Sequence, residues 1–217
     1  MRHCSTTLRQ LAGWLTAFAA FAGLAHWGQW VSWQYEISAA LRGFGESQPQ
    51  LQWVWIVGGI PITGLALVFI GVLGRRRMPR VWAVLIAGSV LEVVVKHVLP
   101  TPLPRPVAIA PAWARLEATW DIGPAAVGHA LHKILPALSP TSTSAFLRGS
   151  YPSGHTYRLS YVAGIALGRC RWPWMALWAA AVAFCVTATG GHWLGDAVGG
   201  FALAMAGLAA AGKPRPK

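Results

Sequence analysis

Two histidines stand where reactive groups are easiest to recognise in this chain. His155 ends the string Tyr151-Pro152-Ser153-Gly154-His155, and His192 heads the string His192-Trp193-Leu194-Gly195-Asp196. Each opens a long apolar segment. If the segment after His192 is helical, Asp196 lies one turn further on the same face. A carboxylate beside an imidazole fixes its tautomer and raises its basicity. That pairing suits a nucleophile or a general base.

The rest of the chain must place these groups. It has 217 residues, 55% hydrophobic and only 11% charged, with mean hydropathy +0.47. Soluble domains carry about 25% charged residues, so the composition describes an integral membrane protein. The net charge of +12 does not point to nucleic acid. The basic residues flank apolar segments, as topology-setting loop charge does. Cys4, Cys170 and Cys185 are far apart, without metal-ligand spacing or a disulfide framework.

A membrane helix needs roughly 20 mostly apolar residues. Six segments answer to this: 11–31, 54–73, 81–99, 156–167, 174–189 and 193–211. The expected fold is an all-α membrane bundle of six transmembrane helices. The polar, Pro-rich stretch 100–152 forms its one larger loop, with interfacial helices expected over 111–135. Arg2 and Arg9, then Arg75, Arg76, Arg77 and Arg80, then Arg169 and Arg171, then Lys213, Arg215 and Lys217 all fall on one side of such a bundle. The positive-inside rule makes that side, with both termini, cytoplasmic and the long loop extracytoplasmic. Trp27, Trp30, Trp33, Trp53 and Trp55 would form an outer aromatic belt, and Trp82, Trp172 and Trp174 an inner one. Ala20-Phe21-Ala22 resembles a signal cleavage site. The apolar run continues past it, which favours an uncleaved anchor.

This topology brings polar residues from three loop regions to one outer face. Lys96 and Arg105 end the third helix, Ser153 and His155 begin the fourth, and His192 and Asp196 join the last two. A phosphoryl group in transfer spreads negative charge over its equatorial oxygens, so cations and amide donors must surround it. One histidine can attack phosphorus while another protonates the leaving oxygen. No carboxylate cluster offers a hard metal its ligands, so no metal and no other cofactor is expected.

These residues, in this order, resemble the three signature motifs of the type-2 phosphatidic acid phosphatase superfamily, in its membrane branch. The resemblance covers about 92–200. It implies one membrane phosphatase domain over 1–217. His192 would attack phosphorus and become a phosphohistidine, Asp196 would orient it, and His155 would protonate the leaving group and then activate water. Lys96, Arg105, Ser153 and the Gly154 amide would hold phosphate oxygens. The chain departs from the pattern twice. Eight residues separate Lys96 from Arg105 where the family has six, and the third motif's Ser-Arg is here Cys185-Val186. Arg158 shares a helical face with His155 and is the replacement cation expected. The alternative is that it snorkels to headgroups. Glu92, one turn before Lys96, is expected to position Lys96 through an ion pair. His97 reads as a boundary residue, and His129 and His132 have no assigned partner. Gly191, Gly195 and Gly199 read as close-packing positions.

The sequence thus predicts metal-independent hydrolysis of a phosphomonoester or diphosphate on a membrane lipid. Phosphatidate, phosphatidylglycerophosphate and polyprenyl diphosphate fit. The expected setting is the outer face of a bacterial cytoplasmic membrane, with the bilayer and its lipid phosphates as partners and the oligomeric state left open. A lipid phosphotransferase and a non-catalytic lipid-binding protein on a degenerate phosphatase fold are the alternatives. A transporter is disfavoured because no inverted halves are visible.

Overall fold

The computed structural model describes residues 2–26, 31–74, 78–99, 101, 149–167 and 172–212. Among them all regular structure is helical. In chain order the helices are α1 (Arg2–His26), α2 (Val31–Glu46), a 3-10 turn (Pro49–Gln52), α3 (Trp53–Val57), α4 (Ile60–Gly74), α5 (Met78–Val98), α6 (Gly154–Leu167), α7 (Trp172–Ala188) and α8 (Leu194–Ala211).

Two regions differ from the apolar spans read in the sequence. The first apolar run is followed by a separate helix, α2. It carries Gln34, Glu36 and Arg42, so a search for unbroken apolar spans passes over it. The run 54–73 is divided between α3 and α4. Gly58-Gly59 precede Pro61 here; glycine interrupts a helix, and the proline ring restarts one at its first turn. The later helices, α5 to α8, overlap the spans at 81–99, 156–167, 174–189 and 193–211.

α8 is the central helix, packed most extensively on α1 and α6 and also touching α5 and α7. The core around it is fastened by buried tyrosines. Tyr151 donates its hydroxyl to Phe18 O at 2.6 Å, Tyr157 to Val84 O at 3.0 Å, and Tyr161 to Val81 O at 3.0 Å. Each phenol supplies a large apolar ring while its hydroxyl finds a partner in backbone carbonyls. Gly88 and Gly199 admit the rings of Tyr157 and Tyr151, and a methyl at either place would overlap the phenol. Arg80 donates to Ala210 O at 2.6 Å, a cation on the carbonyl end of α8.

Among the described residues, several outer helix faces are apolar. Ile86, Val90, Val94 and Val98 line one exposed face of α5 at helical spacing, Leu65, Val68, Phe69 and Val72 are exposed on α4, and Trp174 and Leu177 on α7. Contiguous exposed apolar surface of this kind marks contact with lipid or another protein. Pro79–Val98 and Leu194–Ala211 are long and apolar enough to cross a membrane, while Ile62–Val72 and Pro173–Ala188 are apolar but shorter. Together these features associate the chain with a membrane.

Candidate active site

The segment leading to His155 is held at both ends. Thr101, just past α5, accepts through Oγ1 from the Ser150 amide (3.1 Å), the Ser150 hydroxyl (3.0 Å) and the Tyr151 amide (3.0 Å). The Ser150 amide also reaches Thr101 O at 3.0 Å. This clasp holds the start of α6 against the end of α5. The Tyr151-Pro152 peptide is cis. Ser153 then caps α6: its Oγ accepts from the Thr156 amide at 3.3 Å and the Thr156 hydroxyl at 3.1 Å, satisfying an amide the first turn would leave unpaired. His155 follows within that first turn.

His192 is placed by the end of α7. Gly190 takes φ 77°, the left-handed conformation that glycine adopts without a Cβ penalty. Its amide donates to Thr187 O at 2.9 Å, and the Gly191 amide to Val186 O at 3.2 Å. This is a Schellman termination, and the His192 amide shares Val186 O at 3.2 Å. The chain then turns directly into α8. Asp196 reaches back to the helix start, its Oδ2 accepting from the Trp193 amide at 2.8 Å. The same oxygen lies 3.5 Å from His192 Nδ1. That is an ion-pair distance, longer than a good hydrogen bond. Both side chains are buried. Nδ1 is thus the nitrogen turned toward the carboxylate.

Asp196 also joins the two histidine strings. Its backbone carbonyl accepts the Ser153 amide at 2.9 Å. The His155 and His192 rings consequently face each other with centroids 6.4 Å apart and planes inclined at 53°. Beside them, burial and then the Asp196 charge push the Tyr151 phenol above its ordinary range, so it remains a protonated donor.

The cations lie at the other end of Gly154. Glu92, on α5, is paired from two helices: Lys96 Nζ is 2.7 Å from Oε1 and Arg158 NH1 is 2.8 Å from Oε2. Arg158 is 7% exposed, so it is held inside the bundle rather than extended to headgroups. Its Nε donates to Gly58 O at 2.9 Å. The Glu92 carboxylate rests against the Cα of Gly154. Val186, standing where the family pattern has arginine, is fully buried among Leu159, Val182 and Ala197.

Lys96, Glu92, Ser153, Gly154, His155, Arg158, His192 and Asp196 are therefore neighbours along one connected set of contacts. Arg105 lies outside the described residues, as do His129, His132 and the stretch 111–135. His97 is exposed, with Nδ1 3.0 Å from Val93 O on its own helix. Two contributors escaped the sequence reading. Gln34 of α2 accepts the Gly195 amide at 2.9 Å, steadying the first turn of α8 from outside. Gly58 approaches so closely that a Cβ there would stand 2.7 Å from His155 Cδ2. The Gly58-Gly59 doublet was the signal available for the second. Nothing in the pattern around Gln34 announced its partner.

The PAP2 superfamily model matches residues 78–213, from α5 through α8. The chain belongs to the PAP2 superfamily, whose members are generally phosphatases. No curated protein and no solved structure matched the chain. The matched region contains both histidine strings and the Lys96 end of α5. Gln34 and Gly58 lie outside it, so part of the site wall comes from the segment before the matched region.

Proposed function

We propose that this chain is a metal-independent lipid phosphate phosphatase that works through a phosphohistidine on His192. The observation that carries the proposal is the buried His192–Asp196 pair facing the His155 ring. The Lys96–Glu92–Arg158 cluster stands next to it across Gly154.

In the first step His192 Nε2 attacks phosphorus. A P–N bond forms, the bond to the leaving oxygen breaks, and His155 gives that oxygen a proton. Asp196 stabilises the positive charge that grows on the His192 ring. In the second step water attacks phosphorus, His155 takes the water's proton, the P–N bond breaks and inorganic phosphate leaves. Lys96, Arg158, Ser153 and the Gly154 amide hold the phosphate oxygens, and Arg105 is assigned to the same task. Arg158 takes the part of the arginine replaced by Val186. Metal independence rests on the donor set: among the described residues no three carboxylate, imidazole or thiol groups converge, and a hard divalent cation needs about six oxygens.

The substrate is a phosphomonoester or diphosphate on a lipid, with phosphatidate, phosphatidylglycerophosphate and polyprenyl diphosphate as the classes to test. The apolar outer faces of α4, α5 and α7 support access from the bilayer. The proposed setting is a six-span bundle in a bacterial cytoplasmic membrane, termini inside and the site on the extracytoplasmic face. The loop charge supports this orientation.

A binding-only protein on the same fold is the second reading, favoured by the apolar Val186. Phosphate release from a panel of lipid phosphates, measured in detergent with EDTA, separates the two. Release that persists in EDTA and vanishes in His192→Ala is expected. No release from any lipid would favour the binding protein, and loss on adding EDTA would refute the metal-free route.

A further inference from the structure

Glu92 does more than its place beside Lys96 suggested. Its two carboxylate oxygens take one cation each, Lys96 on Oε1 at 2.7 Å and Arg158 on Oε2 at 2.8 Å. This is the two-point acceptor geometry that a phosphate offers to the same donors. The carboxylate also lies against Gly154 so closely that a methyl there would overlap all three carboxyl atoms. Glu92 therefore stands among Lys96, Arg158 and Gly154, three of the groups assigned above to the substrate's phosphate. It is 6% exposed, so water screens its charge poorly.

We propose that Glu92 is an internal counter-anion seated where a phosphate oxygen pair binds, which an incoming phosphoryl group must displace. Glu92 then sets how tightly the site takes anions. This rests on the phosphate-binding reading of the site. The consequence is chemical: two buried cations without an opposing charge would hold inorganic phosphate after hydrolysis, and Glu92 weakens that grip and speeds release. A merely positioning role fits less well. Arg158 has a second anchor in Gly58 O at 2.9 Å, so the carboxylate is not its sole tether.

The test uses the full chain in detergent micelles and inorganic phosphate as the probe, with binding read by phosphorus NMR line broadening. Glu92→Gln keeps the shape and removes the charge. It should bind phosphate roughly tenfold or more tighter than wild type, about 1.4 kcal/mol per factor of ten, because it removes a unit negative charge in direct contact with both cations. KM for the lipid phosphate and the inhibition constant for phosphate should fall together. Glu92→Asp withdraws the carboxylate from at least one cation, and should tighten phosphate binding several-fold. It decides the matter if the Gln variant does not fold. Either folded variant binding phosphate no tighter than wild type overturns the proposal. If wild type hydrolyses lipid phosphate but neither variant tightens, the counter-anion role fails and the hydrolase stands. If neither protein releases phosphate from lipid but the Gln variant still tightens, the hydrolase fails and the anion seat stands.

Discussion

Asp196→Asn isolates the charge that Asp196 lends to His192. Asparagine retains an oxygen for the Trp193 amide, now 2.8 Å from Oδ2, and leaves the backbone carbonyl that holds Ser153 unchanged. The helix cap and the joint between the two histidine strings should therefore survive, and the melting temperature should move little. What goes is the negative charge 3.5 Å from His192 Nδ1. A full unit-charge pair at that distance is worth roughly 4–5 kcal/mol at an effective dielectric of about 20. Only part of a charge develops on the ring as the P–N bond forms. Half the full value, about 2 kcal/mol, is a fair share, and corresponds to roughly a 30-fold fall in rate. Pre-steady-state release of the dephosphorylated lipid, the leaving group of the first step, reads P–N bond formation directly, because inorganic phosphate leaves only in the second step. KM should change little, because the charge acts on the transition state. Asp196→Ala should lose the same rate and also about 1 kcal/mol of stability through the missing cap. A folded Asn variant that turns over within threefold of wild type would show that the pair is not the nucleophilic unit.

Two further substitutions probe the packing that brings the motifs together. Gly200→Ala should destabilise by about 1–3 kcal/mol, because its Cβ would press on the Ser153 carbonyl; thermal melting in detergent checks this, with turnover expected to fall alongside. Val186→Arg restores the family's residue type at that position, yet it should not improve phosphate binding. The side chain is fully buried against Leu159 and Ala197, so a guanidinium there would be desolvated without a partner. Destabilisation by several kcal/mol is expected, and a tighter phosphate complex in that variant would contradict the assignment of its role to Arg158.

The histidine strings, their order and the helices that carry them were legible because each depends on local spacing. Glu92 lies one turn before Lys96 in α5; Asp196 follows His192 at the same spacing, but His192 stands just before α8 and meets the aspartate because its carboxylate turns back over the helix start. Apolar runs located α5 to α8 for the same reason. α2 was not legible, since its Gln34, Glu36 and Arg42 break the apolar pattern and its stability comes from packing on α7 and α8. The break at Gly58-Gly59 was written in the chain but masked by the apolar residues on either side.

What the sequence determined by itself is the inventory: two imidazoles, a carboxylate at helical spacing from one of them, cations at helix ends and enough apolar surface for a membrane. The tertiary structure decided who pairs with whom. Arg158 meets Glu92 across 66 positions of chain, Gln34 meets Gly195 across 161, and Ser153 meets the carbonyl of Asp196. Local periodicity carries no information about such contacts. They follow from how α2, α5, α6 and α8 pack, and buried tyrosines with the glycines that admit them help to set that packing. The same packing sets a guanidinium from α6, that of Arg158, against the Glu92 carboxylate of α5.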